Sequence, residues 1–122
     1  MIRKMEIRDA DEVYNIENQA FFEPWSKKNL IKDLESNTFL NHYVAEKDGK
    51  IVGFYISSQV LDEVEIFTIA VDCDYKNMGI ATSLLNHLVA TSIANNMKEI
   101  WLEVSTKNLA AINLYKKFGF EI

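Results

Sequence analysis

The segment most suited to chemistry joins a strand-like apolar run that ends at Val71 to a long helical pattern that begins at Gly79. The first amide N–H groups of a helix lack internal partners and lie at the positive end of the helix dipole, so such a junction can bind an anion. A glycine there lets the backbone approach a phosphate closely. Gly79 would equally serve a tight strand-to-helix turn, and a single glycine does not separate the two interpretations.

Two other phosphate-binding patterns are absent from the sequence. A P-loop requires G-x-x-x-x-G-K-[ST], whereas Gly49-Lys50 continues to Ile51. A dinucleotide fingerprint requires three spaced glycines in the first β-α unit, and Gly79 stands alone in its turn. Any anion site at this junction therefore belongs to a different class.

Hydrophobic periodicity predicts the elements that position the junction. Strands are predicted over residues 2–8, 42–47, 51–61, 63–71 and 99–104. A first helix, capped by Asp9 or Asp11, has apolar positions as far as Phe21, and a second helix is capped by Ser26. Two further helices are predicted over residues 79–95 and 109–118. Asp48-Gly49 predicts a two-residue hairpin turn, and Gly119 ends the last helix. In the helix over 79–95, one apolar stripe is predicted from Ile80, Leu84, Leu85, Leu88, Val89 and Ile93.

The predicted order β-α-α-β-β-β-α-β-α indicates a single α+β domain over residues 1–122, with a mixed central sheet flanked by helices. The consecutive strands suit antiparallel pairing. The crossover through the helix over 79–95 makes strands 63–71 and 99–104 parallel, with the right-handed connection that such units adopt.

Composition narrows the functional classes. Of 122 residues, 48% are hydrophobic and 25% charged, and the net charge of −5 disfavours a non-specific nucleic-acid binder while suiting a cationic substrate. No apolar run approaches the ~20 residues that cross a bilayer, and the charged N-terminus lacks a signal sequence, so a cytoplasmic protein is predicted. Cys73 is the only cysteine and His42 and His87 are far apart in sequence, so no metal centre is predicted.

Several motifs resemble a known family. Lys76-x-x-Gly79-x-Ala81 resembles the Q/R-x-x-G-x-G/A motif of the GNAT superfamily of N-acetyltransferases, which binds the pyrophosphate of acetyl-coenzyme A. Within it, residues 23–26, 61–63, 101–104 and 108–115 resemble the RimI-type ribosomal-protein alanine N-acetyltransferases. The resemblance spans nearly the whole chain. It implies acetyl transfer to a protein N-terminal amine, expected to be alanine of a small-subunit ribosomal protein.

The resemblance also implies roles for individual residues. Backbone groups of Ile69, Ala70 and Val71 would bind the pantetheine arm, and Asn108 the pantetheine or the thioester end. The pyrophosphate would be bound by Lys76 and by main-chain amides of Asn77, Met78, Gly79, Ile80, Ala81 and Thr82. Glu103 would be the general base and Tyr115 the general acid. The residues themselves leave other interpretations open: Glu103 suits a solvated strand face, and Tyr115 falls on an apolar helical stripe.

Three departures from the family pattern matter. Lys76 stands where relatives have Gln or Arg, Cys73 stands where they have Pro, and related chains continue past the last helix with two further strands where this one stops at Ile122. Without those strands, residues 99–104 are expected to form an exposed apolar edge that causes self-association and weakens activity. Acetylation of a lysine, a polyamine or another small amine, and coenzyme A binding with little turnover, remain the alternative functions.

Overall fold

The computed structural model describes residues 1–20, 26–36, 40–104 and 107–121. Its strands are β1 (Ile2–Lys4), β2 (Leu40–Lys47), β3 (Lys50–Val60), β4 (Glu63–Val71) and β5 (Glu99–Leu102), and its helices are α1 (Ala10–Ala20), α2 (Lys27–Ser36), α3 (Ile80–Ala94) and α4 (Leu109–Lys117). Two short 3-10 turns lie at Ile7–Asp9 and Cys73–Tyr75. The predicted element order is confirmed. Phe21, an apolar position predicted for the first helix, and Pro24, predicted to break it, lie outside the described residues, as do residues 23–25 of the family resemblance.

The strands form one five-stranded sheet in the order β1-β2-β3-β4-β5. The pairs β1–β2, β2–β3 and β3–β4 are antiparallel, and β4–β5, joined through α3, is parallel. The mixed α+β sheet predicted from the sequence is therefore confirmed. Within the described ranges, no helix is long and apolar enough to cross a membrane.

The local signals that define the turns and caps act as predicted. Asp48 and Gly49 both have positive φ, 53° and 80°, as a two-residue hairpin requires. The Ser26 hydroxyl oxygen accepts a hydrogen bond from the Asn29 N–H at 3.1 Å and caps α2. Gly119, with φ 91°, follows α4.

The first strand is shorter than the sequence predicts. It ends at Lys4 because the Asp9 carboxylate accepts two hydrogen bonds from the Arg3 guanidinium, at 2.7 and 2.9 Å, and one from the Glu6 N–H at 2.8 Å. These bonds fold residues 7–9 into a 3-10 turn and leave Ile7 52% exposed. The Arg3 contact also lowers the pKa of the Asp9 carboxyl and holds it ionised.

Two other predictions need correction. The sequence places Ile93 on the apolar stripe of α3, but this side chain is 70% exposed, because Ser92 occupies the buried position one turn after Leu88. The Ser92 hydroxyl is satisfied there by donating to the Leu88 carbonyl at 2.7 Å. The strand predicted over 99–104 ends at Leu102, where its pairing with β4 ends.

The sheet separates two apolar cores. On one face α1 and α2 contribute side chains that include Val13, Ile16 and Leu30; on the other, α3 contributes Leu84, Leu85 and Leu88. Successive residues of β3 enter opposite cores: Phe54 packs in the first core and Tyr55 in the second.

Gly53 lets α3 pack closely on the sheet. A Cβ atom at this position would lie 3.1 Å from the Ala70 carbonyl oxygen and from side-chain carbons of Ile80 and Leu84. Gly53 also pairs with Val71, the last residue of β4. The first turn of α3 is therefore held against the end of β4, where the sequence predicts the anion site.

Candidate active site

An opening between β4 and β5 is the main feature of the site. The last parallel pair is Ile66 with Leu102, and β4 continues alone to Val71. Residues 67–71 of β4 thus have no paired neighbour on the β5 side within the described chain. An extended ligand can hydrogen-bond to such backbone, as a strand added at a sheet edge does. The predicted pantetheine contacts, Ile69, Ala70 and Val71, lie along this stretch.

A β-bulge begins the opening. Ile56 pairs with Thr68 while its neighbour Ser57 pairs with Ile66, so Phe67 is an extra residue in β4. The bulge shifts the alternation of side chains by one residue. Before it, Val64 and Ile66 enter the α3-side core, and after it, Ile69 and Val71 do so. Phe67 is 46% exposed. The sequence patterns did not predict the bulge; its only trace there is that the alternation of Val64-Glu65-Ile66 stops at Phe67.

The junction from β4 to α3 has the geometry of an anion site. Asn77 and Gly79 adopt positive φ, 64° and 78°, so the chain turns sharply before the helix begins at Ile80. No side chain caps this helix, and the first helical hydrogen bond runs from the Ser83 N–H to the Gly79 carbonyl at 3.0 Å. The N–H groups of residues 80–82 precede that bond, as the unpaired donors of a helix N-terminus do.

The surroundings of the turn are open. A Cβ atom at Gly79 would meet nothing within 4 Å, and Lys76, Asn77, Met78 and Thr82 are exposed. Ile80 and Ala81 are half-buried. The predicted anion-binding residues therefore form one continuous accessible turn, with one cation, Lys76, beside the free amides. This arrangement fits a phosphate-bearing ligand.

Tyr115 combines packing with access to a groove. It belongs to the α3-side core, and its ring contacts the Phe120 ring edge to face with centroids 5.7 Å apart. It also lines a groove of about 1010 Å³ together with Leu102, Val104 and Ile112. Burial raises the pKa of the Tyr115 hydroxyl, which therefore stays protonated at neutral pH.

Glu103 and Asn108 stand apart from Tyr115. Glu103 is exposed and does not line the groove, although its neighbours Leu102 and Val104 do. The Glu103 carboxylate is therefore not brought into the groove that Tyr115 lines. Asn108 caps α4, since its side-chain oxygen accepts from the Ala111 N–H at 3.2 Å. The sequence did not predict this capping role, although Asn is a common N-cap residue.

The Asp72-Cys73-Asp74 turn also brings carboxylate and thiol groups together. Among the described residues, these three side chains place ligand-type atoms within 4.8 Å of one another. Asp72 accepts a hydrogen bond from the Asp74 N–H at 3.0 Å and lies 4.0 Å from the Lys50 ammonium. These contacts explain the cluster as part of the turn that leads into α3, and Cys73 is exposed.

A mixed sheet that opens beside β4 leads into an uncapped helix with glycine before its first residue, an arrangement suited to an extended, phosphate-bearing ligand. The acetyltransferase (GNAT) family model matches residues 10–120. The chain is 38% identical over 119 residues to the ribosomal protein bS18-alanine N-acetyltransferase of Escherichia coli (strain K12), covering 98% of this chain and 79% of that protein. It is 36% identical over 120 residues to the Haemophilus influenzae protein of the same name, covering 98% of this chain and 80% of that protein.

Structural similarity agrees with the sequence comparison. The crystal structure of the ribosomal-protein-S18-alanine N-acetyltransferase from Escherichia coli superposes with a TM-score of 0.90 at 36% identity, covering 99% of this chain and 77% of that one. The chain therefore belongs to the GNAT family of acetyltransferases. It is an N-acetyltransferase, and enzymes of this fold use acetyl-coenzyme A.

Proposed function

We propose that this enzyme acetylates the N-terminal α-amine of a protein, and that the acceptor is the N-terminal alanine of a ribosomal protein in the cytoplasm. Its relatives at 36–38% identity bear the name of that activity. The observation that carries the proposal is the opening after Ile66 and Leu102, which leaves residues 67–71 of β4 without a strand neighbour on the β5 side among the described residues.

The co-substrate contacts that we propose use main-chain groups for the most part. Backbone of Ile69, Ala70 and Val71 hydrogen-bonds the pantetheine, and the amides of residues 77–82, with Lys76, bind the pyrophosphate. Asn108 offers its side-chain N–H groups, while its oxygen caps α4. The bound thioester supplies an activated acetyl carbonyl.

Two side chains would move protons. An α-amine has a reference pKa of about 8 and is mostly protonated at neutral pH. Glu103 accepts that proton, directly or through water, so that the nitrogen can form its bond to the acetyl carbon. Tyr115 donates its proton to the sulfur as the carbon–sulfur bond breaks, and solvent restores it. Proton removal from the amine and protonation of the leaving sulfur are separate steps of the transfer, so two different groups can carry them out.

The function is tested by thiol release from acetyl-coenzyme A with three acceptor sets: peptides that begin with alanine, peptides with a free lysine and a blocked N-terminus, and polyamines. We expect release with the alanine peptides only. Release with the other acceptors instead would assign a different amine. Calorimetric binding of coenzyme A without release for any acceptor would identify a binding module.

We also propose that the polypeptide of residues 1–122 self-associates through β5. Among the described strands, β5 has a neighbour on one side only, and Trp101 on it is 59% exposed. Such an edge presents unpaired N–H and C=O groups to another strand. Sedimentation velocity should give a mass that rises with concentration. A monomer at all concentrations, together with high transferase activity, would contradict the prediction.

A further inference from the structure

A second cavity lies on the opposite face of the sheet from the groove that Tyr115 lines. It has a volume of about 130 Å³, which gives room for several water molecules or for a ligand of a few heavy atoms. Residues 33–34 of α2, residues 4–5 at the end of β1 and residues 40–43 at the start of β2 line it. Strand β3 separates β2 from β4, so this cavity is distinct from the opening between β4 and β5.

The alternation of side chains along the strands decides which polar groups face the cavity. Lys4 is the register partner of Tyr43, whose side chain packs in the α3-side core, so both side chains lie on that other face. Val44 packs in the core beneath α1 and α2, so His42, two residues before it, lies on the α2 side. The polar side chains on the cavity side are therefore the Asp33 carboxylate from α2 and the His42 imidazole from β2.

The His42 imidazole is buried and incompletely hydrogen-bonded. The residue is 7% exposed, and its Nε2 atom has no hydrogen-bond partner among the described residues. Buried polar groups nearly always have a partner, so this nitrogen indicates a place for a ligand atom. Burial lowers the pKa of His42, although the charge of Asp33 acts in the opposite direction, so the ring is neutral at pH 7. A neutral ring accepts a hydrogen bond at one nitrogen and does not repel a cation.

Asp33 supplies a negative charge beside this ring. It is half-buried, and no ion pair between described residues includes its carboxylate. The apolar side chains of Met5, Leu34 and Leu40 also line the cavity. Two acceptor groups beside apolar surface suit the end of an alkyl chain that carries an ammonium group, because the charge is paired while the methylenes leave water.

We propose that this cavity binds a primary ammonium group on a short alkyl chain, the group that free diamines and lysine side chains share. The ammonium donates to the Asp33 carboxylate and to Nε2 of His42, and the methylenes contact Met5, Leu34 and Leu40. A zinc ion suits the cavity less well, because zinc sites in proteins use at least three protein ligands and these elements offer two. The site is independent of acetyl transfer, since β2 and α2 carry none of the proposed co-substrate contacts.

The test uses the two histidines of the untagged chain, which give separate imidazole signals in long-range proton–nitrogen correlation NMR spectra. Methyl-, ethyl-, propyl- and butylammonium are titrated, with the alcohols of equal chain length as uncharged controls. We expect saturable shifts at His42 with the ammonium ions only, and a Kd on the order of 1 mM for propylammonium. Each added methylene should tighten binding about fourfold until the cavity is filled. His87, which bonds Tyr55 on the α3 side, is the internal control and should not shift.

Asp33→Asn should weaken propylammonium binding at least about tenfold, because the charge is lost while the shape of the side chain is kept. Glu35→Gln is the matched control, since it removes the same charge from an exposed position on the same helix. Equal shifts with the alcohols, an equal loss in Glu35→Gln or parallel shifts at His87 would overturn the inference. Unchanged His42 signals at every concentration would also overturn it and show that the cavity holds only water.

A competition titration separates the two sources of such a group. The probes are putrescine and a lysine whose α-amine and carboxyl group are both blocked. Tighter binding of putrescine assigns the cavity to free diamines, and tighter binding of the blocked lysine assigns it to a lysine side chain of another protein. Failure of both probes to displace propylammonium would overturn the inference. No arm of the experiment requires turnover, so its result and that of the proposed function are independent.

Discussion

Replacing Gly79 with tryptophan is expected to abolish coenzyme A binding while the fold persists. Gly79 has φ 78° and open space around its Cα, immediately before the unpaired amides of α3. An indole there occupies the volume that the proposed pyrophosphate needs. Hydrogen bonds to a charged group contribute about 1.5–3 kcal/mol each, so the loss of two lowers affinity by at least about a hundredfold. Isothermal titration calorimetry measures the change directly.

Gly49→Trp provides the matched control. Gly49 has φ 80°, and a Cβ atom there would also meet nothing within 4 Å, but this residue lies in the β2–β3 hairpin turn. Both substitutions therefore impose a similar left-handed strain, about 1–2 kcal/mol. Only Gly79→Trp should lose affinity for coenzyme A. Equal affinities in the two variants would remove the phosphate-binding role of the turn.

Tyr115→Phe is expected to lower kcat about a hundredfold, the usual scale for loss of a proton-transfer group. Phenylalanine retains the ring that packs against Phe120, so stability and coenzyme A affinity should change little. Tyr14→Phe is the control, because it makes the same chemical change on a different helix, α1. Turnover at the wild-type rate in Tyr115→Phe would leave Tyr115 a purely structural residue.

Glu103→Gln tests whether Glu103 is the general base, and the measurement is kcat/KM as a function of pH. Below about pH 8 the acceptor amine is mainly protonated, and a base is needed to free it. The deficit in kcat/KM should therefore be largest at low pH and shrink as the pH rises above the pKa of the amine. A deficit that is constant with pH would show that Glu103 positions the acceptor without accepting its proton.

The parts of the fold that the sequence predicts are those with local causes. Asp48-Gly49 specifies its hairpin through backbone conformation, and the helical spacing from Ile80 to Leu88 specifies the buried side of α3. The errors come from side-chain hydrogen bonds that hydrophobic periodicity does not register. The Arg3–Asp9 ion pair ends β1 early, and Ser92 replaces Ile93 on the buried side because its hydroxyl finds the Leu88 carbonyl. Periodicity alone does not distinguish such a satisfied serine from an exposed one.

The candidate site also has a part that the sequence predicts and a part that it does not. The junction at Gly79 could be proposed from the residues, because a strand end, a glycine and a long helix are visible in sequence. The roles of Glu103 and Tyr115 rest on family resemblance and remain predictions. The bulge at Phe67 could not be predicted, since it is a mismatch between two strands and depends on the register of β3.

The cap on α4 restricts the chemistry available at the edge of the site. The Asn108 oxygen accepts from the Ala111 amide with one of its two lone pairs, and this bond fixes the orientation of the side-chain amide. The two N–H donors on the same group are thereby held in place, ready for an acceptor such as an amide or thioester carbonyl. One capping bond thus removes rotational freedom from a side chain before any ligand arrives.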